Sequence, residues 1–176
     1  FSPDGKRLLS CSRSANWPDA QNSPAPAICI WDVKTGAKRV SIYSEPGVLT
    51  ACWTPNGQQV IGAGKDQSIR SWNSTTGEQT AVLVDDLGEK AHDLAVSPDG
   101  ESLLVAHKQT ATLIHLADRL RVDVAKRTPS ILNVAFSPDA SMFAFGTTSG
   151  LVSIWDRRTL SEIRVVETGQ NVRTVC

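Results

Sequence analysis

Short apolar stretches separated by polar turns run the length of this chain, and no window carries a convincing 3.6-residue helical period. Leu8-Leu9-Ser10-Cys11, Val60-Ile61-Gly62-Ala63, Leu103-Leu104-Val105-Ala106 and Phe143-Ala144-Phe145-Gly146 are each brief and bounded by turn residues, which reads as buried strand. Ile28-Cys29-Ile30-Trp31 and Val152-Ser153-Ile154-Trp155 alternate in the two-residue period of a strand. The same reading predicts strands at residues 38–43, 79–84, 121–125 and 162–167, with others at 49–53 and 132–136.

The strands fall into periods. Phe1-Ser2-Pro3-Asp4-Gly5 returns as Trp53-Thr54-Pro55-Asn56-Gly57, Val96-Ser97-Pro98-Asp99-Gly100 and Phe136-Ser137-Pro138-Asp139-Ala140, with the prolines 52, 43 and 40 residues apart. Each is turn chemistry: proline presets φ, Asp or Asn bonds its own backbone, and glycine tolerates positive φ. A second landmark follows 17 residues after the proline, at Trp72, His115 and Trp155; Pro3 reaches Trp31 only after 28, so the first repeat holds 11 extra residues. Thr35-Gly36 and Thr76-Gly77 make a further turn after two of these landmarks. Each period thus carries four strands joined by short turns. The predicted repeats are about 1–52, with an insertion at 12–26, then about 53–95, 96–135 and 136–176.

Four strands per unit of about 40 residues, a Ser-Pro-Asp-Gly turn, and a Trp-Asp pair closing the third strand resemble WD (WD40) repeats. Trp31-Asp32 and Trp155-Asp156 match the pair, and Trp72-Asn73 nearly does. The resemblance implies an all-β fold, a β-propeller of four-stranded antiparallel blades. It also implies that the four present belong to a larger ring of about seven, so the remaining blades of a longer chain are expected neighbours. The family's Gly-His is missing from every repeat. Its turn aspartate has a counterpart only at Asp66, with Gln109 and Ser149 at the other places, and His115 and Leu116 replace the Trp-Asp pair in the third repeat. These blades are therefore expected to rest more on apolar packing than on the family's hydrogen-bonded set.

Composition narrows the function. Lys plus Arg equals Asp plus Glu, 18 against 18. That balance leaves no electrostatic footprint for nucleic acid or an anionic membrane. No apolar run approaches the length of a membrane-spanning helix. Cys11, Cys29, Cys52 and Cys176 form no C-x-x-C pair, and the first three lie in predicted strands, where thiols are expected to be buried and free. This points to a reducing, cytoplasmic setting. His92 and His107 are expected near one another at strand ends, too few to close a zinc site. Neither metal nor cofactor is expected.

No nucleophile elbow, phosphate loop or metalloprotease motif is present. The expected function is a non-catalytic scaffold for protein or peptide partners. The alternatives are a propeller enzyme or a regulatory domain of one, and a substrate receptor of a cullin-type ubiquitin ligase, to whose motif Trp155-Asp156-Arg157-Arg158 bears a resemblance. The partner surface is expected on the face carrying the 12–26 insertion. Trp17 is the candidate anchor there, with Asp19 and Asp66 as polar contacts.

Overall fold

In the computed structural model, which describes residues 1–12, 26–126 and 129–175, the chain is all-β and the described residues form no helix. The first sheet orders β1 (Arg7–Cys11), β2 (Ile28–Asp32) and β3 (Lys38–Ile42). The second orders β4 (Val48–Trp53), β5 (Gln59–Gly64), β6 (Ile69–Asn73) and β7 (Gln79–Val84). The third holds β8 (Asp93–Val96), β9 (Ser102–His107), β10 (Thr110–His115) and β11 (Arg121–Lys126). The fourth holds β12 (Ile131–Phe136), β13 (Met142–Thr147), β14 (Leu151–Asp156) and β15 (Ser161–Glu167). Every neighbouring pair is antiparallel and consecutive, as short hairpin turns require.

The first sheet has three described strands: β4, β8 and β12 each precede a proline turn, and only Phe1 stands before the turn at Ser2-Pro3.

The proline turns close in one way at all four sites. The hydroxyl of Ser2, Thr54, Ser97 or Ser137 donates to the carboxyl or amide oxygen of Asp4, Asn56, Asp99 or Asp139 at 2.5, 2.8, 2.5 and 2.6 Å. The same hydroxyl accepts the amide of Arg7, Gln59, Ser102 or Met142, the residue that starts the next strand. The fourth turn residue has positive φ: 69° at Gly5, 66° at Gly57, 76° at Gly100 and 59° at Ala140. Ala140 adopts there, at a steric cost, what glycine adopts freely.

Among the described residues one core forms within 1–90 and another within 91–176. In the first, Ile28, Ile30 and Ile42 of the first sheet pack with Val48, Val60 and Trp72 of the second. In the other, Leu104, Ala106, Ala111 and Val124 of the third sheet pack with Ile131, Val134, Phe143 and Phe145 of the fourth. Burying each large apolar side chain stabilises by roughly 1.5–3 kcal/mol, so these paired sheets are held mainly face to face.

Candidate functional site

The ends of the strands carry the polar chemistry, and most of it is committed to turns. Hydrogen bonds from the Ser137 hydroxyl, then the Ser141 amide and hydroxyl, hold the Asp139 carboxyl at about 2 instead of the usual 3.8. At Asp99, burial works upward, but bonds from Arg157, Ser97 and the Glu101 amide outweigh it and hold the group at about 2. At the end of β2, Asp32 accepts the Thr35 amide (2.8 Å), pairs with Arg39 (3.0 Å) and accepts the Thr35 hydroxyl, and is likewise held at about 2. Asp156 accepts the amide and hydroxyl of Thr159 in the same arrangement.

A carboxylate held below its unfolded value stabilises the fold above that value and loses the contribution as pH falls through its folded one. Asp139→Asn is therefore expected to flatten the fall in melting temperature between about pH 4 and 2. Thermal melts across that range check it; an unchanged acid slope would show that the turn does not depend on the anion.

Pairing register places the landmarks. Trp31 lies opposite Leu8, Trp72 opposite Val60, and Trp155 opposite Phe143, each facing the fifth residue after its proline. In the third sheet the residue opposite Leu103, the fifth after Pro98, is Ile114, while His115 lies opposite Ser102. His115 therefore does not occupy the tryptophan position. The cause is the β9–β10 hairpin: His107 pairs directly with Thr110 across Lys108-Gln109, and this turn is one residue shorter than the one joining β13 and β14. Ile114 is 1% exposed, whereas the His115 side chain is 47% exposed. His115 instead fills the position of Asp32, Asn73 and Asp156, and its Nδ1 meets Asp118 at 3.0 Å across the same turn. The positive-φ residue five places on confirms the phase: Gly36, Gly77, Arg119 and Leu160 follow Trp31, Trp72, Ile114 and Trp155.

The tryptophans do rest chiefly on packing. Trp155 stacks on Phe143 (6.2 Å, 13°) and tilts against Phe145, and its Nε1 is buried without a hydrogen-bond partner among the described residues. Trp31 differs, donating Nε1–H to Ser10 Oγ at 2.8 Å.

Of the expected surface contacts, Trp17 and Asp19 lie outside the described residues. Asp66 sits in the β5–β6 turn. Burial acts to raise its carboxyl, but bonds from Arg70 (2.7 Å) and from the hydroxyl (2.7 Å) and amide of Ser68 prevail and hold it at about 2. It is a closed turn anion, still about a third exposed.

The rings of His92 and His107 have separate partners. His92 Nδ1 donates to the Ile131 carbonyl at 2.8 Å, and His107 Nε2 meets the Thr112 hydroxyl at 2.7 Å, which in turn donates to Asp123. Among the described residues no group of three His, Cys, Asp or Glu is placed to hold a metal. The cysteines are less buried than expected. Cys11, at the end of β1, is exposed and Cys29 and Cys52 are half-buried; burial pushes the Cys29 thiol up.

Two arginines bind one sheet to the next, a role the sequence reading did not single out. Arg7 of the first sheet reaches into the second, donating Nη1–H to Ser74 Oγ (3.0 Å) and Nη2–H to the Gly57 carbonyl (2.8 Å), with its guanidinium carbon 4.6 Å from the Trp53 ring centre. Arg157 of the fourth sheet reaches into the third. It donates to Ser102 Oγ (3.0 Å) and pairs with Asp99 and, at 3.4 Å, Glu101. It also touches its own Ala140 carbonyl at 3.3 Å and lies 5.9 Å from the Phe136 ring centre. Arg158 is exposed, beside an open depression of about 480 Å³ lined by Ala140, Ser141, Asp156 and Arg157. On the outer edge, β15 is exposed along its whole length, including Ile163, Val165 and Val166.

Comparison with known proteins agrees with this geometry. The family described as "WD domain, G-beta repeat" matches residues 37–73 and 122–156. Both matches run from the last strand of one sheet, β3 or β11, through three strands of the next to the Trp-Asn or Trp-Asp pair, so each sequence repeat straddles two sheets. The chain is 25% identical to the WD repeat-containing protein WDS homolog of Arabidopsis thaliana over 89% of its length and 28% of that protein. It is 30% identical to the p21-activated protein kinase-interacting protein 1-like of Gallus gallus over 59% of its length and 26% of that protein. It is 28% identical to the transcriptional corepressor LEUNIG_HOMOLOG of Arabidopsis thaliana over 73% of its length and 16% of that protein. The chain thus spans less than a third of each of these relatives.

Proposed function

We propose that this chain, which is similar to WD-repeat proteins, is a non-catalytic interaction module whose blades present a rigid loop face to a protein or peptide partner. One observation carries this reading. Among the described residues, Asp4, Asp32, Asp66, Asp99, Asp118, Asp139 and Asp156 are displaced downward by bonds that fix their turns. A general acid or base working near neutral pH needs the opposite shift. These groups are permanent anions that stiffen strand ends, and stiff strand ends are what a scaffold needs to position binding loops.

The partner surface is assigned to the face of the β1–β2 connection. This connection carries the 11 residues by which the first repeat exceeds the others, together with Trp17 and Asp19. Asp66 sits in the β5–β6 turn, the same connection in the neighbouring sheet. Tryptophan is enriched among interface hot spots, where truncation costs about 2 kcal/mol or more. Trp17→Ala is expected to weaken pull-down of the native partner more than tenfold while leaving the melting temperature unchanged. A lower melting temperature with unchanged binding would place Trp17 in the packing of its own blade and send the interface elsewhere.

A further inference from the structure

We infer that Arg7 and Arg157 are one inter-blade lock built from opposite sides: a single guanidinium site at the proline-turn end of each paired joint, filled by an arginine from either blade, with serine as its partner across the joint.

The equivalence rests on position. Arg7 and Ser102 are both the fourth residue after a repeat proline. Ser74 and Arg157 are both the second residue after a landmark tryptophan. Backbone bonding confirms this second alignment, because the amides of Val33, Ser74, Leu116 and Arg157 all bond the carbonyl of the third residue after the proline: Lys6, Gln58, Glu101 and Ser141. In the first joint the leading blade supplies arginine and the trailing blade serine; in the other joint the leading blade supplies serine and the trailing blade arginine. The trailing blades carry Gln59 and Met142 at the first position and the leading blades Val33 and Leu116 at the second, so each joint holds one arginine and one serine at these positions.

The surroundings of the guanidinium are also conserved between the joints. Both arginines touch the carbonyl of the positive-φ turn residue in the trailing blade, Gly57 or Ala140. Both lie over the aromatic residue that opens the same turn, Trp53 or Phe136. Both bond the serine hydroxyl across the joint. The planar fork fits this site because it can bond a carbonyl and a hydroxyl while its face meets a ring, which a lysine ammonium cannot reproduce. What differs is the stalk and the charge beside the site: Arg157 pairs with Asp99 and Glu101, whereas the same turn positions in the first joint carry one acid and one base, Asp4 and Lys6.

The test is a reciprocal exchange in the full chain, read by the urea midpoint of unfolding. Arg157→Ser alone is expected to lower the midpoint by removing the lock. Ser102→Arg alone is expected to lower it too, since two guanidiniums then compete for one site. The double exchange Ser102→Arg with Arg157→Ser rebuilds the arrangement of the first joint and is expected to recover most of the loss. A double variant whose loss equals the sum of the single losses overturns the inference. Should either single variant fail to fold, the double variant decides by itself: a cooperative transition near the parent midpoint supports the shared site, and an unfolded chain refutes it.

Discussion

Phe143→Ala is expected to remove about 3–5 kcal/mol of stability, the largest loss of any single truncation in the third and fourth sheets. The side chain is 1% exposed and sits on β13 at the centre of the core those sheets share. It meets Trp155 nearly parallel at 6.2 Å and Phe136 edge-on at 6.2 Å, so its removal opens a cavity beside two other rings that cannot both collapse into it. Trp155 would suffer twice, because its buried Nε1 has no partner among the described residues and packing is what holds the ring in place. Chemical denaturation followed by tryptophan fluorescence measures the effect directly. Phe1→Ala supplies the contrast: Phe1 is 77% exposed, and its truncation is expected to fall within about 0.5 kcal/mol of the parent. Comparable losses at the two positions would mean that the aromatic cluster does not carry this core.

Much of this architecture was legible because turn chemistry is local. A proline, an aspartate and a glycine dictate their own turn, and each of the four proline turns closes through bonds among residues at most five apart. Strand positions followed from apolar alternation for the same reason. The site chemistry was less legible, because it depends on partners distant in sequence. Asp66 reads as an available contact until Arg70 and Ser68 are seen to enclose it. Arg157 drew notice as part of a Trp-Asp-Arg-Arg string, yet its acidic and serine partners lie more than 50 residues earlier in a neighbouring sheet. Arg7 carried no signal at all, since only the register of two sheets brings it to Ser74. Counting residues from each proline also failed once, where a hairpin lost a residue and the count ran past the buried position. The compensating signal was present in the apolar pattern: Ile114, not His115, is the bulky apolar residue that a core position requires.

That failure yields the second large effect. Ile114→Ala is expected to cost about 2–5 kcal/mol, the usual range for truncating a buried branched side chain, because Ile114 stands where Trp31, Trp72 and Trp155 stand in the other sheets. His115→Ala is expected to cost far less. Nearly half of its side chain is in solvent, and its contact with Asp118 closes an exposed turn, where ion pairs contribute little. Urea midpoints of the two variants, measured side by side, separate the alternatives. A larger loss at His115 would restore the constant spacing read from the sequence and put the histidine in the tryptophan's place. A larger loss at Ile114 fixes the repeat phase by burial, and with it the assignment of Leu116 to the position that holds serine or arginine in the two locked joints.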